Sequence, residues 1–307
     1  MPHASDALQN ILKNTDGSNN YKYPTDFTRG IIPKAFHSHN DYWRDVPFYS
    51  GLSHGAISTE ADVWLINKTI YVGHHPSSLT TSRTFQSLYV DPILRTLALM
   101  NPSTPFIQSP TANGVFDTDP GQTLYFFIDF KTGADDTWPA VLSALAPLRD
   151  GGWLSEYDGA RFIERAVTII GTGNTPLERV KEMKPRWVFY DGPLEKLSAS
   201  ASSSEGDKVD PEGIYTDLTS DISPIASVNF HSVFGRIIGR EFSTKQLEVL
   251  RAHVKVAHDK GIKARYWNQP EWPISERNAV WRTLWDEGVD ILNVDDLKGA
   301  AEFWEGK

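Results

Sequence analysis

No cysteine occurs anywhere in the 307 residues. That absence excludes disulfides, zinc-thiolate sites and a thiol nucleophile, and it leaves the compartment open, because oxidising and reducing environments both tolerate such chains. A block of Lys and Arg is also missing, and 39 acidic residues outnumber 30 basic ones to give a formal net charge of −9. The chain therefore lacks the footprint that a nucleic-acid backbone requires, and no nucleic-acid partner is expected. Long apolar runs are absent as well. The opening segment MPHASDALQNILKNTDGSNNYKYPTDF has no basic stretch followed by an apolar one, so it reads as neither a secretory leader nor a membrane anchor, and a cytoplasmic protein is the expectation. One sequon, Asn67-Lys68-Thr69, is compatible with a secretory route without requiring one. Oligomeric state is not legible.

What is present is enough apolar sequence for a large core, at 40% of residues. Eight strand-like runs recur between helical or loop segments: KAFHS, AISTEADVWL, TLYFFIDF, AVTIIGT, RWVFYD, SPIASVNF, IKARYWN and VDILNV. Nearly continuous apolar strands that end in polar residues are what a parallel sheet covered on both faces produces. Eight such strands predict a single-domain α/β protein, a (β/α)₈ TIM barrel over residues 24–307, with a doubly wound sheet as the competing architecture. Two helices are legible from their caps. Ser243 with Gln246 forms a capping box ahead of Leu247, Leu250, Val254 and Ala257, and Gly261 stops that helix. Ser275 precedes a second stripe of Val280, Trp281, Leu284 and Trp285, ended by Gly288. Residues 1–23 read as a poorly ordered extension, and 197–213, rich in Ser, Gly and Asp, as a surface loop. The long connection from His75 to Thr123 is expected to cover the site.

The chemistry gathers in one span. Glu60 and Asp62 lie two apart on a strand and so share a face. Two like charges on one face near a strand end must be hydrated, paired or bound to a cation. The run LYFFIDFKT carries Asp129 and Lys131 to the end of another strand, where a parallel barrel builds its active site. Three hard oxygen donors, Glu60, Asp62 and Asp129, suit Mg²⁺ or Ca²⁺. Strand-end histidines complete the set, with His37 and His39 on one side and the neighbours His74 and His75 on the other. Two imidazoles, a cation and a lysine are the parts needed to cleave a phosphodiester: one group takes a proton, another gives one, and positive charge neutralises the phosphoryl oxygens.

On the motifs FHSHN, EADV, VGH and IDFKT the chain resembles the superfamily of phospholipase C-like phosphodiesterases, which includes glycerophosphodiester phosphodiesterases and sphingomyelinase D-type phospholipases. Within it, HSHNDYWRDVP with EADVWL and YVGH is most similar to the fungal family called altered inheritance of mitochondria protein 6. The resemblance implies a metal-dependent phosphoric diester hydrolase with His37, His74 and Lys131 as catalytic residues and Glu60, Asp62 and Asp129 as metal ligands. It also implies contact between Trp267, Asn268 and Asn40 and a small phosphodiester or lipid head group. His39 and His75 stand as further candidates, since HSHND replaces the H-R-G opening and His74-His75 replaces the usual H-D, and His231, which ends the sixth strand-like run, is another. Asn40 and Asp41 either orient His37, complete the metal shell or simply form a turn, Trp43 and Trp64 are assigned to packing, and His54 to a helix end. The rivals are a glycoside hydrolase, which also uses a barrel with paired acids and abundant Trp, and a catalytically silent barrel that binds a partner.

Overall fold

The computed structural model describes residues 5–15, 18, 21, 23–197, 217–237 and 239–304. Its elements run α1 (Asp6–Thr15), β1 (Lys34–Ser38), α2 (Tyr49–Ser53), β2 (Ala56–Ile66), β3 (Thr69–Val72), α3 (Asp91–Met100), β4 (Leu124–Phe130), α4 (Ala134–Ala144) and α5 (Ala146–Asp150). They continue with β5 (Glu156–Tyr157), β6 (Phe162–Ile163), β7 (Val167–Gly173), α6 (Leu177–Glu182), β8 (Val188–Pro193), β9 (Ile225–Asn229), α7 (Phe230–Phe234), α8 (Thr244–Asp259), β10 (Lys263–Trp267), α9 (Ile274–Asp286), β11 (Ile291–Val294) and α10 (Leu297–Trp304).

All eight runs expected from the sequence are strands. In the order β1, β2, β4, β7, β8, β9, β10, β11 each pairs in parallel with the next, and β11 returns to β1 to close the barrel. A doubly wound sheet is thereby excluded, because it would leave two open edges. The remaining strands stand outside the ring. β3 is an antiparallel hairpin partner of β2, and β5 with β6 forms a small separate ribbon.

Strand alternation divides the side chains into two populations. Outward residues such as Val63, Phe126, Ile128, Phe130, Ile169 and Val188 are fully or almost fully buried beneath the surrounding helices and loops. Each contributes about 1.5–3 kcal/mol by leaving water. Inward residues in the C-terminal half of the barrel are instead polar: His37 sits beside Ser58 and Asn293 in the strand register, Asp62 beside Asp129, and Arg265 beside Ser227. A polar interior at that end is what positions the site.

The helix caps separate into one agreement and one correction. Ser243 and Gln246 make the reciprocal capping box at the start of α8. The other helix, α9, begins earlier than expected: Pro273 is its cap and Ser275 already lies in its first turn, because a proline with fixed φ starts a helix without needing a side-chain oxygen. His54 caps the C-terminus of α2, at a helix end as read from the sequence. The extension carries order the sequence did not suggest, since α1 is helical, although none of its residues is buried. The Ser-rich loop lies outside the described residues except for Leu197. The connection from His75 to Thr123 is no lid. None of its residues lines the cleft, and it buries Phe85, Tyr89, Val90, Ile93, Leu97, Val115 and Phe116 in the core instead. No helix among the described residues is long and apolar enough to cross a membrane.

Candidate active site

A cleft of about 310 Å³ at the C-terminal end of the barrel is lined by His39, Asn40, Glu60, Asp62, His74, Asp129, Lys131, Thr172, Gly173, Asp191, Arg265 and Trp267. The three carboxylates predicted as metal ligands meet there. One oxygen from each of Glu60, Asp62 and Asp129 lies within 4.8 Å of the others. In each residue one oxygen is already engaged. Glu60 Oε2 accepts the Asn40 backbone N–H at 2.8 Å, and Lys131 Nζ reaches both Asp62 Oδ2 at 3.0 Å and Asp129 Oδ2 at 2.6 Å. Glu60 Oε1, Asp62 Oδ1 and Asp129 Oδ1 carry no hydrogen bond among the described residues, so three hard donors remain free, the set that Mg²⁺ or Ca²⁺ takes. Asn40 can aim its N–H at Glu60 because it adopts the left-handed conformation, φ 48° and ψ 39°, which asparagine tolerates better than most residues.

The electrostatics agree with that donor set. Burial, then the charges of Glu60 and Asp129, push the Asp62 carboxyl up to about 7 against the opposing Lys131 ammonium. Burial likewise raises Asp129 despite its contact with Lys131. Glu60 is the exception. Burial opposes its charge, yet His37, His39 and Arg265 together hold it well below the usual carboxylate range. Asp191, absent from the sequence reading, adds a fourth carboxyl at the end of β8; burial pushes it up to about 6, and it accepts Ser227 Oγ at 2.7 Å. Four acids against Lys131 and Arg265 leave the cleft short of positive charge for an anionic substrate, a deficit that a divalent cation would fill.

The histidines part company. His37 is fully buried, its Nδ1 2.7 Å from Ser58 Oγ and its ring edge-on to Phe127. Burial, with the Arg265 charge next, pushes its pKa down to about 3, and its Nε2 stays 3.7 Å from Glu60. It is a neutral prop beneath the cleft, and the expectation that it touches substrate is corrected for want of access. His39 lines the cleft instead. Its Nδ1 lies 3.1 Å from both Asp295 oxygens, and although burial opposes the charge, Asp295 and Glu60 raise its pKa above the ordinary imidazole value. On the other side stands His74, with Nδ1 3.0 Å from the Tyr42 hydroxyl and 3.3 Å from Asp62 Oδ2. Burial and the Lys131 charge lower its pKa. His75 points to solvent, and His231 lies exposed on α7 with Nδ1 3.1 Å from the Gly235 carbonyl, so neither lines the cleft.

Several supporting residues escaped the sequence. The buried Tyr42 hydroxyl lies within hydrogen-bonding distance of Asp62 Oδ2 (2.8 Å), Asn40 Oδ1 and His74 Nδ1, and so ties the first-strand loop to both the carboxylates and His74. Burial and the Asp62 and Glu60 charges push its pKa far up, so it stays a neutral phenol. Arg265 floors the cleft, with Nη1 3.0 Å from Ser227 Oγ and Nη2 2.6 Å from Asn293 Oδ1. A charged residue inside the apolar strand KARYW was the available signal, since Arg265 shares a face with Trp267. Asp41 does not join the metal set; it accepts Ser38 Oγ at 2.6 Å and Tyr89 Oη at 3.1 Å and anchors the loop. Trp43 is no packing residue, being 61% exposed with its edge against His74, whereas Trp64 donates to the Gly73 carbonyl at 2.6 Å. Trp267 lines the cleft, and Asn268 faces the adjoining pocket.

Gly173 allows the acids to approach. A Cβ built there would lie 2.0 Å from Asp129 Oδ1, and the residue has φ +62°, so two independent constraints exclude a side chain. Gly173→Ala is expected to cost about 1–3 kcal/mol in a urea titration and to weaken Mg²⁺ binding in calorimetry by displacing Asp129. An unchanged midpoint with unchanged binding would overturn this account.

Comparison with known proteins follows the geometry. The family described as AIM6-like phosphodiesterase domain matches residues 25–191. The altered inheritance of mitochondria protein 6 homolog of Arthroderma benhamiae is 48% identical over 310 residues, spanning 98% of this chain and 93% of that protein. Altered inheritance of mitochondria protein 6 of Eremothecium gossypii is 35% identical over 274 residues, 87% of this chain and 68% of that one. Among solved structures, the phosphatidylinositol-specific phospholipase C from Listeria monocytogenes aligns with TM-score 0.44 and 11% identity over 89% of this chain and 92% of that one. With a domain match over more than half of its residues and a relative nearly half identical along almost the whole sequence, this chain belongs to the AIM6-like phosphodiesterase family.

Proposed function

We propose that this chain is a phosphoric diester hydrolase acting on a small glycerophosphodiester or (lyso)phospholipid-type head group, with a hard divalent cation held by Glu60, Asp62 and Asp129. The observation that carries the reading is the free oxygen on each of three clustered carboxylates, beside Lys131 and between two imidazoles in unlike surroundings. A bound Mg²⁺ or Ca²⁺ supplies positive charge against the phosphoryl oxygens. The chain's own groups do the rest. Lys131 adds a second positive charge at the phosphoryl group. His74, with a lowered pKa, is neutral near pH 7 and accepts the proton of the attacking oxygen, while Tyr42 and Asp62 fix its ring. His39, with a raised pKa and its imidazolium held by Asp295, donates a proton to the departing oxygen. Matching the lower pKa to the base and the higher to the acid keeps both in working form over a common pH range. Trp267 offers a wall for the substrate's apolar part.

A panel of phosphodiesters assayed with EDTA and then with Mg²⁺ or Ca²⁺ tests this. Turnover is expected to vanish on chelation and return with one of the two cations, and ³¹P NMR of the product separates attack by water from attack by a neighbouring hydroxyl, which leaves a cyclic phosphate. No turnover of any phosphodiester would sink the proposal. A glycoside hydrolase is disfavoured because it gives no reason for His39, His74 and Lys131 to converge on the clustered acids.

A further inference from the structure

The sequon Asn67-Lys68-Thr69 takes no part in the site chemistry, and the hairpin gives it a fixed geometry. Ile66 pairs with Thr69, so Asn67 and Lys68 alone connect β2 to β3, and their φ angles of 49° and 68° make the connection a type I′ turn. Tolerance of the left-handed region accounts for the asparagine without accounting for the threonine two residues on. Both turn residues are exposed, and neither the Asn67 amide nor the Thr69 hydroxyl makes a hydrogen bond among the described residues. Asn101-Pro102-Ser103 provides a contrast within the chain. Its central proline disqualifies it as an acceptor, and its amide is engaged on both sides. Asn101 Nδ2 donates to the Leu97 and Asn113 carbonyls at 2.9 Å each, while Oδ1 accepts Thr111 Oγ1 at 2.7 Å and the Asn113 backbone N–H at 2.8 Å.

The surroundings leave room for a sugar. Lys68 and Thr69 line a groove of about 340 Å³ together with Gln86 and with Ala140, Ser143 and Ala144 of α4, whose small side chains keep it open. The Ser143 hydroxyl and Gln86 Oε1 carry no hydrogen bond among the described residues. Methyl groups beside a hydroxyl and an amide oxygen suit an N-acetylhexosamine, which has an acetyl methyl next to hydroxyl and amide donors. The active cleft stays clear, because none of the three sequon residues lines it and the extended chain from Asp62 to Asn67 spans roughly 16 Å at about 3.3 Å per residue. We infer that Asn67 is an acceptor for an N-linked glycan whose first sugar occupies the groove between β3 and α4. The donor is an oligosaccharide joined through N-acetylglucosamine to a polyprenyl pyrophosphate. A bond forms between Asn67 Nδ2 and the sugar C1 as the C1–O bond to pyrophosphate breaks; the amide gives up a proton, and the lipid pyrophosphate departs with the bonding pair. This transfer takes place in the secretory lumen, the route with which the sequon is compatible. Seated there, the sugar braces the hairpin that carries His74.

The full chain, secreted from yeast behind an added leader, tests this by intact mass before and after endoglycosidase H and by peptide mapping. One glycan is expected, mapped to Asn67, retained in Thr69→Ser and lost in Thr69→Val and Asn67→Gly. Valine keeps the branched side chain that suits a strand, and glycine adopts the positive φ of the turn without strain, so two independent variants that preserve the hairpin remove the acceptor. A wild-type chain secreted without a glycan, or a glycan that persists in Thr69→Val, overturns the assignment. Endoglycosidase H leaves a single N-acetylglucosamine on the asparagine, and hydrogen exchange of that form reads the groove against the same chain made unglycosylated in bacteria. The β3 amides should exchange about threefold or more slowly with the sugar in place, within the range for one net hydrogen bond. Equal exchange in the two forms overturns the seat in the groove.

Discussion

His39→Gln is expected to lower kcat on an alkyl phosphodiester by about 10²–10⁴-fold, the range for losing a proton donor in the transition state. The same variant should lose far less on bis(p-nitrophenyl) phosphate, whose nitrophenolate departs without protonation. His37→Gln should behave differently. It breaks a fully buried bond to Ser58, so its effect belongs to folding, a drop of about 1–3 kcal/mol, with any loss of rate the same on alkyl and aryl esters. Comparable selectivity for leaving group in both variants would refute the assignment. The pH profile gives a second reading. With the proposed roles, activity would require neutral His74 and protonated His39, so the acid limb should follow the lowered pKa and the alkaline limb the raised one. Asp295→Asn removes the partner that raises His39 and should move the alkaline limb to lower pH, narrowing the bell. For stability the same raised pKa means that the His39–Asp295 pair contributes fully below the ordinary imidazole value of 6.5 and that this contribution is lost as pH rises through the folded-state value.

Asp62→Asn should remove about 10²–10³-fold of the rate, the scale reported for losing one fixed electrostatic stabiliser, while making the metal-free protein more stable at alkaline pH. The folded chain keeps the Asp62 proton up to about 7, whereas the unfolded chain releases it near 3.8. Between those values the native state binds more protons, so stability falls as pH rises. Asparagine has no charge to acquire and keeps an oxygen for Tyr42 and Lys131. Its melting temperature without metal should therefore exceed wild type at about pH 8 and converge toward about pH 4. Mg²⁺ should raise the wild-type melting temperature and leave the variant nearly unmoved, because a ligand stabilises only a state that binds it. A variant that melts lower than wild type at alkaline pH would show that the acids do not repel one another.

The barrel was legible because buried parallel strands have a strong signature: eight short apolar runs with polar ends, each of which became a strand of the closed sheet. Glu60, Asp62, Asp129 and Lys131 were legible for a related reason, since a two-residue spacing fixes their common face. The choice between His37 and His39 was not. Both have that same spacing, and what separates them is depth: Ser58 and Phe127 close over one ring, while the other emerges beside Asp295, which is 256 residues away in sequence. Asp191 and Asp295 each follow an apolar run, so the strand-end rule that found Asp129 would have found them too. Tyr42 had no such marker. Its importance comes from one hydroxyl reaching Asn40, Asp62 and His74, a convergence set by the fold of the loop rather than by any periodicity.

The hairpin strand β3 and the closed ring differ in how their strands are held. The carboxylates and His39 are borne on or beside the closed ring, whose strands are bonded on both sides. His74 hangs from β3, which pairs with β2 along one edge and on the other has the single bridge of Tyr71 to Thr84 and a bond from the Val72 N–H to the Arg83 carbonyl. Opening this arm breaks far fewer bonds than opening the ring, so its amides should exchange with solvent while the barrel remains protected. With the proposed roles, the proton acceptor then sits on the less protected arm and the electrostatic base on the ring, so changes in the β2–β3 turn should alter the first without altering the second.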